Sequence, residues 1–227
     1  MNRLILFDID GTLITAGGAG TRSMNRAFQA LFGIEDAFRG ISMAGKTDPQ
    51  IMREGLKTQG YPHWDGNVDA MKERYLDFLK EEINNPDRKL KPGVQAALDV
   101  FKREGLSIGL LTGNLEQGAA IKLKAFGIYD YFIAGAFGSD HEDRNELLPI
   151  AVRKFTDRGY AFSSRECIVI GDTPRDVECA KIHGAYCIAV ATGPYSIEDL
   201  LKTDADIVLD SLQNKDIMMD FITSLPD

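Results

Sequence analysis

The segment LILFDIDGTL, residues 4–13, begins with four consecutive apolar residues and then places two aspartates two positions apart. A short apolar run without alternation is typical of a parallel strand that is buried on both faces. Asp8 and Asp10 follow this run directly, so we expect both carboxylates at the end of the strand. Two carboxylates this close repel each other unless a cation neutralises them or one of them holds a proton.

Further apolar runs of this kind follow along the chain. The two strongest span residues 108–111 and 168–170, and weaker ones span 131–134, 186–191 and 206–209. Between the runs, the spacing of apolar residues predicts helices at 93–103, 115–126, 145–156 and 174–183. Strands that alternate with helices of this length predict βα units and a parallel sheet, and therefore an α/β fold.

Residues 17–88 interrupt this alternation, because they contain no convincing buried strand. Helical patterns occupy residues 21–32, 48–58 and 68–83 instead. Turn-prone segments, TAGG at 15–18 and NNPD at 84–87, mark the two ends of the region. We expect a helical insertion after the first strand, with a core formed by residues 1–16 and 88–227 and an inserted domain formed by residues 17–87.

The composition limits the classes of function. The 227 residues carry 34 Asp and Glu against 26 Lys and Arg, which gives a formal net charge of -8. This excess disfavours binding to nucleic acid or to anionic membrane surfaces, and no basic patch offsets it. We see no apolar segment long enough to cross a membrane and no signal peptide. Cys167, Cys179 and Cys187 lack metal-ligand or CxxC spacing, so we expect reduced thiols in a cytoplasmic protein.

Two other predicted strands also end in polar residues, at LLTGN (110–114) and VIGDTPRD (169–176). Ligands of an open parallel sheet bind outside the carboxyl ends of its strands, so Asp8, Thr112 and Asp172 should meet in one crevice. The Thr112 hydroxyl and the backbone N–H groups at the start of the following helix suit a phosphate. The carboxylates suit Mg²⁺, which prefers oxygen ligands.

Each segment also has a purely structural interpretation. Asp8 and Asp10 could form an Asx turn that ends the strand. Thr112 and Asn114 could bond only to their own turn. Residues 172–176 could be a capped helix start with Pro174 in an early position.

Taken together, DIDGT at 8–12, TGN at 112–114 and GDTPRD at 171–176 resemble three motifs of the haloacid dehalogenase-like hydrolase superfamily. The resemblance covers nearly the whole chain, and phosphoglycolate phosphatases are the most similar group. It implies a doubly wound parallel sheet, a Rossmann-like core, with an α-helical cap domain inserted between the first two motifs. The insertion at residues 17–87 agrees with that arrangement.

For the site, the resemblance implies that Asp8 attacks phosphorus and that Asp10 serves as acid and then as base. It implies a Mg²⁺ cofactor bound by Asp8, by the backbone carbonyl of Asp10 and by Asp172, with Asp176 supporting the metal site. The substrate phosphate would contact Thr112, Gly113 and Asn114.

The third motif of the superfamily usually contains a lysine ahead of the helix that precedes the fourth motif. Lys154 lies inside the predicted helix, whereas Arg144 lies at its start, after a loop. We therefore assign this catalytic and phosphate-binding role to Arg144, which keeps a fixed charge and can grip a phosphate with its planar fork.

The segment GISMAGKT, residues 40–47, matches the phosphate-binding loop of nucleotide-binding proteins. Such a loop must follow a buried strand, but residues 34–39 do not resemble one, and the match lies inside the insertion. Lys46 is instead a candidate substrate contact from the cap. For His63 and Trp64, also in the insertion, we expect structural or surface roles.

The predicted function is a Mg²⁺-dependent phosphatase for a small phosphorylated metabolite. One alternative is a phosphoglucomutase-like phosphoryl-transfer enzyme, but such enzymes typically carry a histidine early in the cap, where His63, His141 and His183 do not lie. The other alternative is a non-catalytic regulatory or binding protein on the same fold, and the intact set of Asp8, Asp10, Thr112 and Asp172 counts against it.

Overall fold

A computed structural model describes residues 3–62 and 65–226 of the chain. The strands are β1 (Leu4–Phe7), β2 (Ile14–Thr15), β3 (Lys89–Leu90), β4 (Ser107–Thr112), β5 (Gly135–Phe137), β6 (Cys167–Gly171), β7 (Tyr186–Val190) and β8 (Ile207–Leu209). The helices are α1 (Ala19–Phe32), α2 (Asp48–Thr58), α3 (Asp65–Glu82), α4 (Val94–Arg103), α5 (Glu116–Ala125), α6 (Leu147–Thr156), α7 (Pro174–Lys181), α8 (Ile197–Leu200) and α9 (Lys215–Ser224).

The central sheet of the described chain has six parallel strands in the order β5-β4-β1-β6-β7-β8. The chain proceeds outward from β1 in one direction through β4 and β5, and then in the other direction from β6 to β8. Such a reversal is the topological switch point at which doubly wound folds bind their ligands. The predicted α/β class with a doubly wound parallel sheet is confirmed.

The central strand β1 is buried on both faces, as its continuous apolar run predicts. Ile5 and Phe7 belong to an apolar cluster that includes residues of α4, α5 and α9. Leu4 and Leu6 belong to a second cluster, which includes residues of α6, α7 and α8. Because successive side chains of a strand point to opposite faces, the four residues hold one helical layer on each side of the sheet.

The insertion consists of α1, α2 and α3, and no strand lies within residues 17–62 or 65–88. These helices surround a third apolar cluster, in which Phe28 and Tyr75 are fully buried. Leu115, from the turn after β4, joins the same cluster and so packs the insertion against the core. An antiparallel pair of β2 and β3 closes the two ends of the insertion. The predicted helical cap is present, and its boundaries at residues 17 and 87 stay a prediction.

The predicted strand at residues 131–134 is wrong in position. A 3-10 helix occupies Tyr129–Tyr131, and β5 begins only at Gly135. The side chains of Tyr131 and Phe132 pack against the apolar core, while Gly135–Phe137 pair with Leu110–Thr112 of β4. Aromatic residues can be buried without joining a sheet, so the apolar run alone misplaced the strand.

The predictions made from composition can be compared with the same fold. No helix among residues 3–62 and 65–226 is long and apolar enough to cross a membrane. Cys167, Cys179 and Cys187 are buried free thiols. The cytoplasmic location stays a prediction, and His63 and Trp64 lie outside the described residues.

Candidate active site

The ends of β1, β4 and β6 meet at a cavity of about 350 Å³ between the sheet and the helical insertion. Asp8 follows β1, Thr112 ends β4 and Asp172 follows β6, and all three line the cavity. The Asp8 backbone N–H donates to the Ile170 carbonyl at 2.9 Å, so the ladder between β1 and β6 continues up to the predicted nucleophile. The fold therefore brings together the polar strand ends that the sequence singles out.

Arg144 connects two buried carboxylates. Its Nη2 donates to Asp8 Oδ1 at 3.0 Å and also to Asp176 Oδ1. Burial raises the pKa of Asp8 from 3.8 to about 6, although the charge of Arg144 opposes this rise. Burial alone would lower the pKa of Arg144, but Asp176 and Asp8 together raise it above its ordinary value. The guanidinium therefore keeps its charge beside the predicted nucleophile.

The structure separates Arg144 from the alternative lysine of the third motif. Arg144 begins the 3-10 helix Arg144–Glu146 directly before α6, and its side chain lines the cavity. Lys154 lies within α6, and its Nζ donates to Asp140 Oδ2 at 2.6 Å. Lys154 is not among the residues that line this cavity.

Asp172 carries a buried oxygen without a partner. Thr12 Oγ1 donates to Asp172 Oδ1 at 2.8 Å, whereas Oδ2 has no hydrogen-bond partner among the described residues. Glycine leaves the space beside this oxygen open, because a Cβ atom at Gly11 or Gly193 would lie 2.3 or 1.6 Å from Oδ2. Burial, together with the charges of Asp8 and Asp176, raises the pKa of Asp172 well above its ordinary value.

Asp172 Oδ2, unpartnered among the described residues, and the nearby carboxylate of Asp8 suit a bound cation. The predicted ligands are the carboxylates of Asp8 and Asp172 and the backbone carbonyl of Asp10. Mg²⁺ prefers oxygen ligands of this kind. Within residues 3–62 and 65–226, no group of three or more His, Cys, Asp or Glu side chains is arranged to hold a metal ion. The predicted set therefore depends on the backbone carbonyl of Asp10 as well as on side chains.

Asp176, which the sequence predicts beside the metal site, lies in the first turn of α7. Its Oδ2 accepts from the Thr173 backbone N–H at 2.9 Å and from Thr173 Oγ1 at 2.8 Å, as in a capping box. Its Oδ1 accepts from Arg144. Asp176 is fully buried and not part of the cavity lining, so it contacts the site through Arg144 and Thr173, which do line the cavity.

Asp10 is held by a residue that the sequence analysis missed. Lys122 of α5 is only 3% exposed, and its Nζ donates to Asp10 Oδ2 at 2.5 Å. Asn114 Nδ2 donates to the same oxygen at 2.9 Å and to Thr112 Oγ1 at 2.9 Å. A signal was available, because Lys122 falls at helical spacing with the buried Gly118 and Ala119, but a lysine in a helix is usually exposed.

The insertion reaches the phosphate-binding turn through a second missed residue, Asp48. Its backbone N–H donates to the Gly113 carbonyl at 2.7 Å, and its Oδ2 accepts from the Leu115 backbone N–H at 2.9 Å. Burial raises the pKa of Asp48 from 3.8 to about 6, against the opposing charge of Lys122. In the sequence, Asp48 has the ordinary appearance of an acidic residue in the first turn of a helix.

Gly113 is required for this close approach. A Cβ atom at Gly113 would lie 2.1 Å from the Lys46 carbonyl oxygen and 2.9 Å from Thr47 Cα. Thr47 also donates through Oγ1 to the Glu142 carbonyl at 2.7 Å. The insertion is thus docked against the turn that the sequence assigns to phosphate binding.

Lys46 lines the cavity, but its Nζ is paired with Glu54 of α2. The segment 40–47 contains no strand, nor do residues 34–39 before it. Thr47 caps α2 by accepting from the Gln50 backbone N–H at 3.4 Å. The resemblance to a nucleotide-binding loop is therefore confined to sequence.

Comparison with known proteins gives the family. The model of the haloacid dehalogenase-like hydrolases matches residues 2–184, so the chain belongs to that family. A phosphoglycolate phosphatase of Escherichia coli (strain K12) is 23% identical over an alignment 233 positions long, which covers 93% of this chain and 90% of that protein. A Clostridium perfringens protein named as a pyrophosphatase, PpaX, is 24% identical over 214 residues, covering 92% of this chain and 94% of that protein.

The fold has solved counterparts as well. CbbY from Rhodobacter sphaeroides, a mutant solved with xylulose-(1,5)bisphosphate, superposes with a TM-score of 0.76 at 20% identity and covers 94% of this chain and 96% of that one. At this identity the likeness shows the fold alone. The predicted family and the predicted enzyme class, a phosphatase within the hydrolases, are confirmed. The roles of individual residues stay predictions.

Proposed function

We propose that the protein is a Mg²⁺-dependent phosphomonoester hydrolase that acts on a small phosphorylated metabolite through a phosphoaspartate on Asp8. One observation carries the proposal: Arg144 and Asp172, which line the cavity together with Asp8, each have a buried polar atom without a partner among the described residues, namely Nε and Oδ2. A phosphate oxygen would accept from the first, and a cation would bind the second. Buried polar atoms normally have partners, so a substrate and a metal ion account for both.

In the first step, an Asp8 oxygen forms a bond to phosphorus while the bond from phosphorus to the ester oxygen breaks. Arg144 holds Asp8 Oδ1 in place and adds a fixed positive charge beside the transferring group. The leaving oxygen takes a proton from Asp10, so the product alcohol departs neutral. Thr112, Gly113 and Asn114 border the same cavity and would contact the phosphate.

In the second step, a water oxygen forms a bond to phosphorus while the bond to the Asp8 oxygen breaks. Asp10 takes a proton from this water, and inorganic phosphate and the Asp8 carboxylate are released. When bound by Asp8, Asp172 and the Asp10 carbonyl, Mg²⁺ would neutralise charge on the carboxylates and on the phosphoryl group. Asp176 would maintain the orientation of Arg144 in both steps.

The size of the cavity supports a small substrate. About 350 Å³ is at the lower end of the range for small-molecule sites, and helices of the insertion cover it. Lys46 is a candidate contact from the cap, although its pairing with Glu54 would have to be shared with the substrate. Similarity to phosphoglycolate phosphatases makes phosphoglycolate one candidate among several phosphomonoesters.

Release of inorganic phosphate from a panel of small phosphorylated compounds tests this proposal. The panel should include phosphoglycolate, sugar phosphates, pyrophosphate and an aryl phosphate, each with Mg²⁺ and with excess EDTA. We expect Mg²⁺-dependent release, and we expect Asp8→Asn, purified in parallel, to lose it. Full activity in EDTA would contradict the metal requirement, and isomerised phosphate ester without free phosphate would indicate a mutase.

A further inference from the structure

We propose that Lys122 is a positioning residue that determines which oxygen of Asp10 exchanges a proton with the leaving group and with water. The inference rests on the proposed function, because it assigns the acid and base role of Asp10 to one of the two oxygens of its carboxylate. It concerns a residue outside the motifs, on a helix that follows the second of them.

Lys122 is buried, so its charge needs a partner within the protein. A lysine that is 3% exposed loses most of its hydration, and such groups are stable only when they are paired. The ion pair between Lys122 Nζ and Asp10 Oδ2 supplies that pairing. The side chain is therefore a charged donor. Its Nζ hydrogen bonds go to Asp10 and to Asn114.

Lys122 and Asn114 donate to the same oxygen of Asp10. Lys122 Nζ and Asn114 Nδ2 lie 2.5 and 2.9 Å from Asp10 Oδ2. Asp10 Oδ1 accepts no hydrogen bond from any residue that the structure describes, and the Asp10 side chain is 41% exposed towards the cavity. One oxygen is fixed and the other is open, so Oδ1 is the atom available for proton exchange.

Lys122 also orients the side-chain amide of Asn114. An amide side chain can present either its oxygen or its nitrogen to a neighbour. Lys122 has only N–H donors, so its contact with Asn114 Oδ1 at 2.6 Å requires Nδ2 to face Asp10 Oδ2 and Thr112 Oγ1. Without the lysine, the amide could rotate, and the carboxylate of Asp10 would lose both of its fixed donors.

A comparison of two leaving groups tests this role. Lys122→Met removes the donors and keeps the length of the side chain, and Lys122→Gln keeps a neutral amide donor group without the charge. Lys124→Met, two residues further along α5 and exposed, is the matched control. Each variant is assayed with an aryl phosphate, whose leaving group needs little protonation, and with an alkyl phosphate, whose leaving group needs it. Circular dichroism and thermal unfolding establish that each variant is folded.

We expect Lys122→Met to lower the rate of alcohol release in the first turnover about a hundredfold for the alkyl phosphate and much less for the aryl phosphate, because general acid catalysis is what it disturbs in that step. Hydrolysis of the intermediate, which also uses Asp10 and is common to both substrates, does not enter this first-turnover rate. Lys122→Gln should fall between the wild type and Lys122→Met, and Lys124→Met should match the wild type. In an Asp10→Asn background, Lys122→Met should cause no further loss of alkyl phosphate turnover, since both changes remove one function.

Two outcomes would overturn the inference while leaving the proposed function intact. The first is an equal loss of the first-turnover rate for both substrates that adds to the loss from Asp10→Asn, which would indicate a purely structural lysine. The second is a raised KM with unchanged kcat, which would indicate a direct substrate contact. If Lys122→Met does not fold, the same comparison made with Lys122→Gln decides. Absence of turnover by the wild type would instead remove the proposed function, and this inference with it.

Discussion

Replacing Arg144 with alanine should be one of the most destabilising changes in the core of this protein. Arg144, Asp8 and Asp176 have side chains that are 4%, 9% and 1% exposed, so removal of the guanidinium leaves two buried carboxylates without their shared cation. Breaking a buried ion pair in this way typically costs about 3–5 kcal/mol. We expect a loss of that size in the free energy of unfolding of Arg144→Ala, measured with urea at neutral pH in EDTA.

Lys154→Ala is the matched control, because Lys154 is the other basic residue considered for the third motif. Lys154 Nζ lies 2.6 Å from Asp140 Oδ2, but the two side chains are 24% and 21% exposed. Ion pairs that water reaches contribute about 0–1 kcal/mol to stability. Arg144→Ala should also lower kcat about a hundredfold or more through the lost charge beside Asp8, while Lys154→Ala should retain activity. Equal losses of stability and of kcat in the two variants would refute the assignment of Arg144.

Three further variants examine other parts of the account. Because burial raises the pKa of Asp48 from 3.8 to about 6, the folded protein binds this proton more tightly than the unfolded chain, and ionised Asp48 costs stability. Asp48→Asn should therefore gain about 3 kcal/mol of unfolding free energy relative to the wild type as the pH rises from about 4 to about 7; a pH-independent difference would contradict this. Asp172→Ala should raise the Mg²⁺ concentration for half-maximal activity or abolish turnover, and an unchanged Mg²⁺ titration would exclude Asp172 as a ligand. Gly113→Ala places a Cβ 2.1 Å from the Lys46 carbonyl, so we expect a displaced cap and a lower kcat, whereas Gly118→Ala, whose nearest atoms lie at 3.6 Å, should behave like the wild type in the same assay.

The strand ends of the site could be predicted because their physical signal is local. β1, β4 and β6 each contain a short apolar run, and each run gives way to polar residues where the sheet ends. Topology then brings these ends together whatever their separation in sequence. Asp8, Thr112 and Asp172 therefore emerge from hydrophobic patterning plus one rule about parallel sheets.

Lys122 and Asp48 could not be found in the same way. Each lies inside a helix, where a charged residue usually faces water, and each is buried only because another part of the chain supplies its partner. For Lys122 that partner is Asp10, 112 residues earlier in the sequence, and for Asp48 it is the turn that contains Gly113. Such pairings depend on tertiary packing, which the pattern of a single helix does not encode.

Detection of a phosphoryl group on Asp8 tests the proposed covalent mechanism. In Asp10→Asn, the first step remains accessible to an aryl phosphate while hydrolysis of the intermediate loses its base, so phosphorylated enzyme should accumulate. After acid quenching, mass spectrometry of the peptides should show an increase of about 80 Da, the mass of a phosphoryl group, on the peptide that contains Asp8. Asp8→Asn/Asp10→Asn should lack the increase. Release of the aryl alcohol in a stoichiometric burst, with the peptide containing Asp8 unmodified, would contradict the account.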